Sequence, residues 1–484
     1  MADLPLSDRS SDIELTPLGR LGPLPEHVER VLATLEAAGQ EAALVGGSVR
    51  DLVLGHAPAD WDVATAALPE RVADLFPGST WQNRFGTVTV NDPAGTVEVT
   101  TYRAEGGYRD RRRPDEIEFG ASLKQDLLRR DFTINAMAWV PTDLAARRGR
   151  LVDPHGGAAD LAAGVLRAVG DPEARFEEDA LRLVRAVRFA TRFDLRLDPS
   201  TEDAIRRHVG DAAQLSGERI HDELLRILAG AAPPSRALEL MERLGLLAVL
   251  LPELAGLRGV PQAKALPGDA LDHSLRTADA LSAADPVLRM AGLLHDLGKA
   301  NTLEGGHFIG HERDGAALAE TVMRRLRSPR AEVTRVTRLV RQHMFDYRPT
   351  WTDAAVRRFV KRVGRDLVDD LFALRQADSA ASGAAEQELG GLPDLRARVA
   401  AVLASDPLDA GQLAVDGHDL TDALSIEPGP QVGQLLDRLL DAVIDDPSLN
   451  RRERLLDLAR GWLAELASGD RTHRQAEGNQ EAPS

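Results

Sequence analysis

Hydrophobic and polar positions divide the chain into two parts with different periodicity. Between residues 44 and 140, short strand-like runs such as 87–90 and 96–102 alternate with helical segments and glycine-rich turns. Beyond about residue 172, Leu, Ala and Val recur every three or four residues and the strand-like runs disappear. The pattern predicts a multidomain α+β protein: a small mixed α/β domain followed by an all-helical remainder.

Proline and polar segments indicate where this helical remainder is interrupted. Pro233 and Pro234, and the segment 261–268, are the expected breaks, because proline cannot continue a helix. Residues 1–24 and 468–484 are polar and lack sustained periodicity, so we predict flexible tails there. A length of 484 residues fits roughly three or four domains, and we place them at 25–150, 151–262, 263–385 and 386–467.

Composition excludes several classes of protein. The chain has no cysteine, which excludes disulfides, thiolate catalysis and cysteine-ligated zinc, and favours a reducing, cytoplasmic compartment. No apolar run approaches the roughly 20 residues of a membrane span. The net charge is −17, and only four of the 59 basic residues are lysine. Nucleic-acid binding must therefore depend on local chemistry rather than on a basic surface as a whole.

Acidic and glycine-rich motifs in the first domain indicate phosphate and metal chemistry. Residues 44–51 are typical of a strand, a glycine turn and a helix start, where free N–H groups favour phosphate, and Arg50 adds a possible bidentate contact. Asp60 and Asp62 have strand spacing and would point to one face, and Glu98 lies opposite Val97 and Val99 in a further strand. Three convergent carboxylates suit two-metal catalysis; the alternative is three solvated side chains.

A second polar pattern occurs in segments 129–136 and 178–189. Asp179, Arg182, Arg185 and Arg188 recur every three residues in one expected helix, as a narrow polar stripe between apolar positions. An exposed helix with ion pairs is the alternative interpretation.

With these motifs in order, residues 25–250 resemble the bacterial class II tRNA nucleotidyltransferase and poly(A) polymerase family of the DNA polymerase beta superfamily. The resemblance implies a nucleotidyltransferase head at 25–150 and a helical neck at 151–262. It implies that Asp60 and Asp62 hold Mg²⁺ with Glu98 as third carboxylate, and that further residues contact the incoming nucleotide: Gly47, Arg50, Arg130, Asp131, Arg185 and Arg188. Asp179 and Arg182 would read the base edge of CTP or ATP in place of a nucleic-acid template.

Two further segments distinguish activities within this family. Residues 83–90 look like the Gly-Thr-Val strand of CCA-adding members, and 104–115 are similar to the flexible loop of enzymes that switch from CTP to ATP, which argues against a CC-only enzyme. We therefore expect addition of C, C and A to the tRNA 3′ end from CTP and ATP, with no DNA and no membrane among the partners. Poly(A) polymerase and ATP-only tRNA adenylyltransferase are the alternatives.

The helical remainder contains a second group of potential metal ligands. An apolar helix ends in His295 and Asp296, and other imidazoles and a carboxylate follow the same order as in metal-dependent HD phosphohydrolases: His273, His311, His343 and Asp378. This resemblance covers 270–380 and implies an HD domain with a divalent ion such as Mg²⁺, Mn²⁺ or Ni²⁺ and phosphodiesterase or phosphatase activity. The non-enzymatic alternative is an RNA-binding or signalling HD module.

Overall fold

The computed structural model describes residues 19–82, 86–106, 116–262, 264–304, 307–383 and 391–464. They form two compact units. The first consists of the described residues up to 256 with the short segments 283–286 and 322–328, and the second comprises the other described residues. Segments 83–85 and 107–115, which belong to the predicted Gly-Thr-Val strand and flexible loop, lie outside the described residues.

A seven-stranded mixed sheet forms the centre of the first unit, in the order β3-β4-β5-β2-β1-β8-β9. The strands of the unit are β1 Ala42–Val45, β2 Asp62–Thr65, β3 Thr80–Gln82, β4 Thr87–Asp92, β5 Gly95–Thr101, β6 Arg103–Gly106, β7 Glu116–Phe119, β8 Ala138–Asp143 and β9 Arg148–Val152. Strands β6 and β7 pair separately. Within the main sheet β2 and β5 are parallel, whereas the other neighbours are antiparallel. This confirms the mixed α/β domain.

The parallel pair places acidic side chains next to each other. Asp62 is directly opposite Glu98 in the register. Val97 and Val99 are buried while Glu98 is exposed, as the alternation predicts. The expectation for Asp60 was wrong in detail, because β2 begins at Asp62 and Asp60 lies in the bend before it.

Helices make up most of the rest of the unit, and the first three of them pack on this sheet. They are α1 Glu26–Ala37, α2 Gly47–Val53, α3 Pro69–Leu75, α4 Leu123–Leu128, α5 Gly157–Ala162, α6 Pro172–Glu178, α7 Leu181–Arg192, α8 Pro199–His208, α9 Gly217–Leu228, α10 Pro234–Leu244, α11 Leu246–Leu250 and α12 Pro252–Ala255. Two residues of the predicted N-terminal tail, Leu21 and Leu24, are buried. The tail prediction was therefore too long, because it gave too little weight to isolated leucines among polar residues.

The second unit is helical, and its helices, together with the residues that directly follow two of them, supply every predicted ligand of the second metal site. They are α13 Ala270–Asp279, α14 Pro286–Leu294, α15 Lys299–Thr302, α16 His311–Arg325, α17 Arg330–Gln342, α18 Asp353–Val363, α19 Val368–Ser382, α20 Leu392–Ser405, α21 Gly417–Leu424, α22 Pro430–Asp445 and a last helix over 452–464. The last three helices share an apolar core around Leu420, Leu439 and Leu455.

Short strand pairs also occur where only helices were expected. They are β10 Val165–Leu166 with β11 Arg196–Leu197, and β12 Leu303–Glu304 with β13 His307–Phe308. Two residues are too few to produce a visible alternation. The predicted breaks at Pro233 and at 261–268 are confirmed, since both fall between helices. The domain boundaries at 150, 262 and 385 stay predictions.

Candidate active sites

The acidic edge of β2 and β5 is the first candidate site. Burial raises the pKa of Asp62, and the nearby carboxylates Glu98 and Asp60 raise it further, while Arg130 and Arg50 oppose the shift. Asp62 is therefore close enough to both other acids to be repelled by them. A divalent cation with oxygen ligands would relieve this repulsion, so the residues fit magnesium.

The glycine turn between β1 and α2 allows an arginine to approach these acids. Gly46 has a φ of +69°, and a Cβ atom at this position would lie 2.6 Å from Nη1 of Arg130 and 3.4 Å from Oδ2 of Asp62. Only glycine fits this turn without displacing the guanidinium. Sequence reasoning selected Gly47, where a Cβ would lie 3.4 Å from Nη2 of Arg50. Gly46 was missed, although the Gly-Gly pair was a signal for it.

A buried polar network continues from this turn. The Arg50 side chain is almost fully buried, donates from Nη1 to Oδ1 of Asn135 at 2.6 Å, and donates from Nε and Nη2 to Asp51. Asn135 in turn donates to Oδ1 of Asp131, whose Oδ2 accepts two hydrogen bonds from Arg185 at 2.8 and 2.6 Å. Burial alone would raise the pKa of Asp131, but Arg185 and Asn135 hold it at about 2.

This network brings together nucleotide-site candidates that are distant in the sequence. Arg130 is held by Asp126, a fully buried carboxylate that accepts from Arg129 as well. Asp126 and Asn135 were not among the predicted site residues. Their signal was a polar side chain inside an otherwise apolar segment. Arg188 lies further along α7 and donates from Nε to the buried Glu223 of α9 at 2.6 Å.

The proposed base-reading pair differs from the expected helix. Helix α6 ends at Glu178, Asp179 has an extended backbone, and α7 begins at Leu181, so Asp179 and Arg182 do not share one continuous helix. The Asp179 carboxylate accepts from the backbone N–H of Leu181 at 3.0 Å and from Arg219 at 2.7 Å. Aspartate often stabilises a helix start in this way. The sequence did not indicate this start, because charged residues at every third position also fit one continuous helix.

Arg182 points toward the junction of α6 and α4. Its guanidinium donates to Oε2 of Glu178 at 2.6 Å and to the backbone carbonyls of Arg175 and Arg129, both at 2.9 Å. Both members of the pair thus have hydrogen-bond partners within the protein. A base edge would exchange hydrogen bonds with groups that are already oriented.

In the second unit, the six predicted metal ligands form one cluster with Asp296 at its centre. Its Oδ2 lies 3.2 Å from Nε2 of His295 and 3.4 Å from Nε2 of His273, and its Oδ1 lies 3.5 Å from His311 and 3.8 Å from His343. Asp378 completes the group, with its Oδ1 3.1 Å from Nε2 of His273. Two triads with donor atoms close enough for a metal ion share this carboxylate: His273, His295 and Asp296, and Asp296, His311 and His343.

Backbone carbonyls orient three of these imidazoles. Nδ1 of His295 lies 2.7 Å from the carbonyl of Gly292, and the same distance separates Nδ1 of His311 from Phe308 and Nδ1 of His343 from Val340. A carbonyl only accepts, so Nδ1 carries a proton, and Nε2 is the ring nitrogen that faces Asp296 and could bind a metal ion. Burial lowers the pKa of His343 to about 3, so its imidazole is neutral at pH 7. The donor set fits a divalent ion.

Sequence reasoning missed three polar residues around this centre. Lys299 donates to Oδ2 of Asp296 at 2.6 Å and to Oε1 of Gln262 at 2.9 Å. Lys264 lies 2.8 Å from Nε2 of His273 and 3.3 Å from Oδ1 of Asp378. The scarcity of lysine in this arginine-rich chain was the available signal, because two of the four lysines are these two.

Comparison with known proteins identifies the family. The CCA-adding enzyme of Lactiplantibacillus plantarum is 33% identical over 439 residues, which cover 89% of this chain and 94% of that protein. The chain belongs to the tRNA nucleotidyltransferase and poly(A) polymerase family. Three domain families match in order: the poly A polymerase head domain at 42–167, the probable RNA- and SrmB-binding site of polymerase A at 194–257, and the HD domain at 270–401.

Other members of this family are similar over most of their length. The A-adding tRNA nucleotidyltransferase of Deinococcus radiodurans is 37% identical over 423 residues, 83% of this chain and 91% of that one. The crystal structure of the Bacillus stearothermophilus CCA-adding enzyme in complex with CTP is 29% identical, with a TM-score of 0.65, and the match covers 94% of this chain and 100% of that chain.

In the part of the chain that the structure describes, no helix is long and apolar enough to cross a membrane.

Proposed function

We propose that the protein is a CCA-adding tRNA nucleotidyltransferase that adds C, C and A to the tRNA 3′ end from CTP and ATP. The observation that supports this most is the alignment of Asp62 with Glu98 across β2 and β5, with Arg130 held over Gly46 beside them. Asp60, Asp62 and Glu98 would hold Mg²⁺. When bound, the ions would activate the terminal 3′-hydroxyl and stabilise the leaving pyrophosphate.

Protein side chains would position the nucleotide. The free N–H groups at the start of α2 and the guanidinium of Arg130 suit the triphosphate. Asp131, fixed by Arg185 and Asn135, would lie near the ribose. These groups are held by buried partners, so they are ordered before the nucleotide arrives.

Asp179 and Arg182 would select the base. A carboxylate accepts from the exocyclic amine that cytosine and adenine share, and an arginine donates to their ring acceptors. Uracil and guanine lack that amine at the corresponding edge and would leave the carboxylate unpaired, which is costly in a partly buried site. Use of both CTP and ATP would distinguish CCA addition from the A-adding activity named for the Deinococcus radiodurans relative.

Nucleotide binding tests this selection. In isothermal titration with Mg²⁺, we expect CTP and ATP each to bind at least about tenfold more tightly than UTP and GTP, since one bidentate base contact contributes about 1–3 kcal/mol. Binding of ATP without CTP would favour an A-adding enzyme, and equal binding of all four nucleotides would contradict base selection by these residues.

For the second unit we propose metal-dependent phosphohydrolase activity. It is supported by the three imidazoles whose Nδ1 atoms face backbone carbonyls and whose Nε2 atoms face Asp296. His273, His295, Asp296, His311, His343 and Asp378 would hold a divalent ion such as Mn²⁺, Ni²⁺ or Mg²⁺, which would supply Lewis-acid activation of water. Hydrolysis of a 2′,3′-cyclic phosphate after loading with each metal, with the chelated protein as control, tests the proposal.

A further inference from the structure

Gln262 and Lys264 lie beside the HD centre on the connection between α12 and α13. Neither belongs to the predicted ligand set, and neither is used by nucleotidyl transfer. Lysine is rare in this chain. The other lysine at this centre, Lys299, already donates hydrogen bonds to Asp296 and Gln262. The connection therefore brings an ammonium and an amide to a site whose other groups are mostly acceptors.

The contacts of Lys264 are with two proposed metal ligands. Its Nζ lies 2.8 Å from Nε2 of His273 and 3.3 Å from Oδ1 of Asp378, and the side chain is mostly buried. The imidazole has one lone pair at Nε2. A metal ion bound by His273 would use that lone pair, and the ammonium, which keeps Asp378 at 3.3 Å, would have a free N–H for a further acceptor beside the ion.

Gln262 has a donor in the same position. Its Oε1 accepts from Lys299 at 2.9 Å, which fixes the orientation of the amide. Its Nε2 is buried and, among the residues that the structure describes, has no hydrogen-bond partner. A buried amide donor without an acceptor is costly. Both side chains thus present an N–H to a further acceptor when the centre holds metal.

We propose that Gln262 and Lys264 bind the phosphoryl oxygens of a phosphate-ester substrate at the HD centre. This rests on the proposed phosphohydrolase activity and adds its anion-binding side. A phosphate ester offers several strong acceptors to one ammonium and one amide. Its negative charge would also pair with the ammonium of Lys264, which loses its contact with Nε2 of His273 when a metal binds there. Carboxylate and imidazole ligands hold the ion, while these two donors hold and orient the substrate.

Binding of inorganic phosphate to the Mn²⁺-loaded full chain tests this assignment. The variants are Lys264→Gln, Lys264→Arg and Gln262→Leu, and Lys361→Gln is the matched control, because Lys361 is in the same unit and pairs only with the exposed Asp441 in the described contacts. Manganese content and phosphate affinity are both measured, the latter by calorimetry. Circular dichroism confirms that each variant is folded.

We expect Lys264→Gln to raise the phosphate Kd by about tenfold or more at full manganese occupancy, as loss of a charged hydrogen bond predicts. Gln262→Leu should raise it less, Lys264→Arg should recover most of the affinity, and Lys361→Gln should match the wild type. With a cyclic phosphate diester, the loss should appear in KM more than in kcat.

Three outcomes would overturn the inference in different ways. If Lys264→Gln lowers manganese content but the loaded fraction binds phosphate like the wild type, Lys264 only supports the ligands. If the wild type takes up manganese but neither binds phosphate nor hydrolyses an ester, the phosphohydrolase proposal fails as well. Wild-type hydrolysis with an unchanged phosphate Kd in both variants contradicts the role of Gln262 and Lys264 alone.

Discussion

Asp62 shows how one residue can indicate a metal site through its surroundings. It lies at the start of a strand, next to Glu98 and near Asp60, and its pKa is raised by burial and by both carboxylates. Folding has therefore placed negative charges together where they repel. Such an arrangement persists when the site gains enough from a bound cation to offset the repulsion.

Replacing these acids tests the catalytic role. Asp60→Ala and Asp62→Ala should each lower nucleotide addition by at least about 10³-fold, because metal-assisted charge stabilisation contributes several kcal/mol. Binding of tRNA should stay near the wild-type level, since the acids are proposed to hold metal rather than RNA. Glu70→Gln on the exposed side of α3 is the control. Addition by either alanine variant at a rate close to the wild type would exclude the assignment.

His208 gives a prediction about pH and stability. Its Nε2 lies 2.8 Å from Glu173 and its Nδ1 2.8 Å from Asp211, while Arg207 also contacts Glu173. Burial opposes protonation, but the two carboxylates outweigh it and raise the pKa of His208 above its usual value. The stabilisation is complete below the unfolded pKa of about 6.5 and is lost as pH rises through the folded pKa.

We therefore expect the thermal midpoint of the first unit to fall as pH is raised from about 6 to about 8, and His208→Gln to reduce that dependence. Differential scanning fluorimetry across this range measures both. The surface variant His56→Gln is the control. An identical pH profile for His208→Gln and the wild type would show that the two carboxylates do not stabilise the protonated imidazole.

At the scale of elements, α9 supplies charged partners for Arg188 of α7 and for Asp179 before it. Glu223 is fully buried and accepts from Arg188 at 2.6 Å and from Arg226 at 2.7 Å. Four residues earlier, Arg219 contacts Asp179. One face of α9 therefore contacts both ends of the polar stripe that the sequence suggested.

Removing the buried carboxylate should be costly. We expect Glu223→Ala to lower the free energy of unfolding of the first unit by about 3–5 kcal/mol, because it leaves Arg188 buried without its partner. Arg226→Ala should cost at most about 1 kcal/mol, since its side chain is largely exposed. Urea denaturation followed by tryptophan fluorescence measures both. Equal, small effects of the two variants would mean that solvent satisfies Arg188.

The elements also show what the sequence can predict. The strand, glycine turn and helix start over residues 44–51 were predictable because the apolar run before Gly-Gly, the glycine pair and the residues after it agree locally. The break at Asp179 was not predictable, because charged residues at every third position fit a continuous helix equally well. Only the contacts of Asp179 with Arg219 and Leu181 show that a new helix starts after it. The partners Asp126 and Glu223 required knowledge of tertiary packing.

At the scale of the molecule, the two candidate centres lie in separate compact units. The six candidate ligands of the HD centre were singled out by their residue types and by their order, which resembles that of metal-dependent HD phosphohydrolases. Gln262 was not, because nothing in the break at 261–268 indicates an amide directed at a metal centre, and for Lys264 the scarcity of lysine was the available signal. The order of residue types along the sequence therefore indicated the candidate ligands, whereas their neighbours were identified from the tertiary structure.

Separate units predict independent function. His295→Ala combined with Asp296→Ala should remove metal from the HD centre and abolish hydrolysis, while CTP and ATP are still added to intact tRNA acceptors at a rate within about twofold of the wild type. Metal analysis, phosphodiesterase assays and addition assays on the same preparation measure this. Loss of nucleotide addition in a variant that circular dichroism shows to be folded would mean that the two centres are coupled.

Sequencing of tRNA 3′ ends tests the central claim most directly. A tRNA lacking its terminal CCA is incubated with all four nucleotides and Mg²⁺, using the wild type and Arg182→Ala. The wild type should produce ends that read CCA and then stop, and Arg182→Ala should add more slowly and incorporate U or G, since a bidentate base contact contributes about 1–3 kcal/mol of discrimination. Wild-type ends that carry only A or a run of A would contradict CCA addition, and unchanged exclusion of U and G by Arg182→Ala would contradict its role in reading the base.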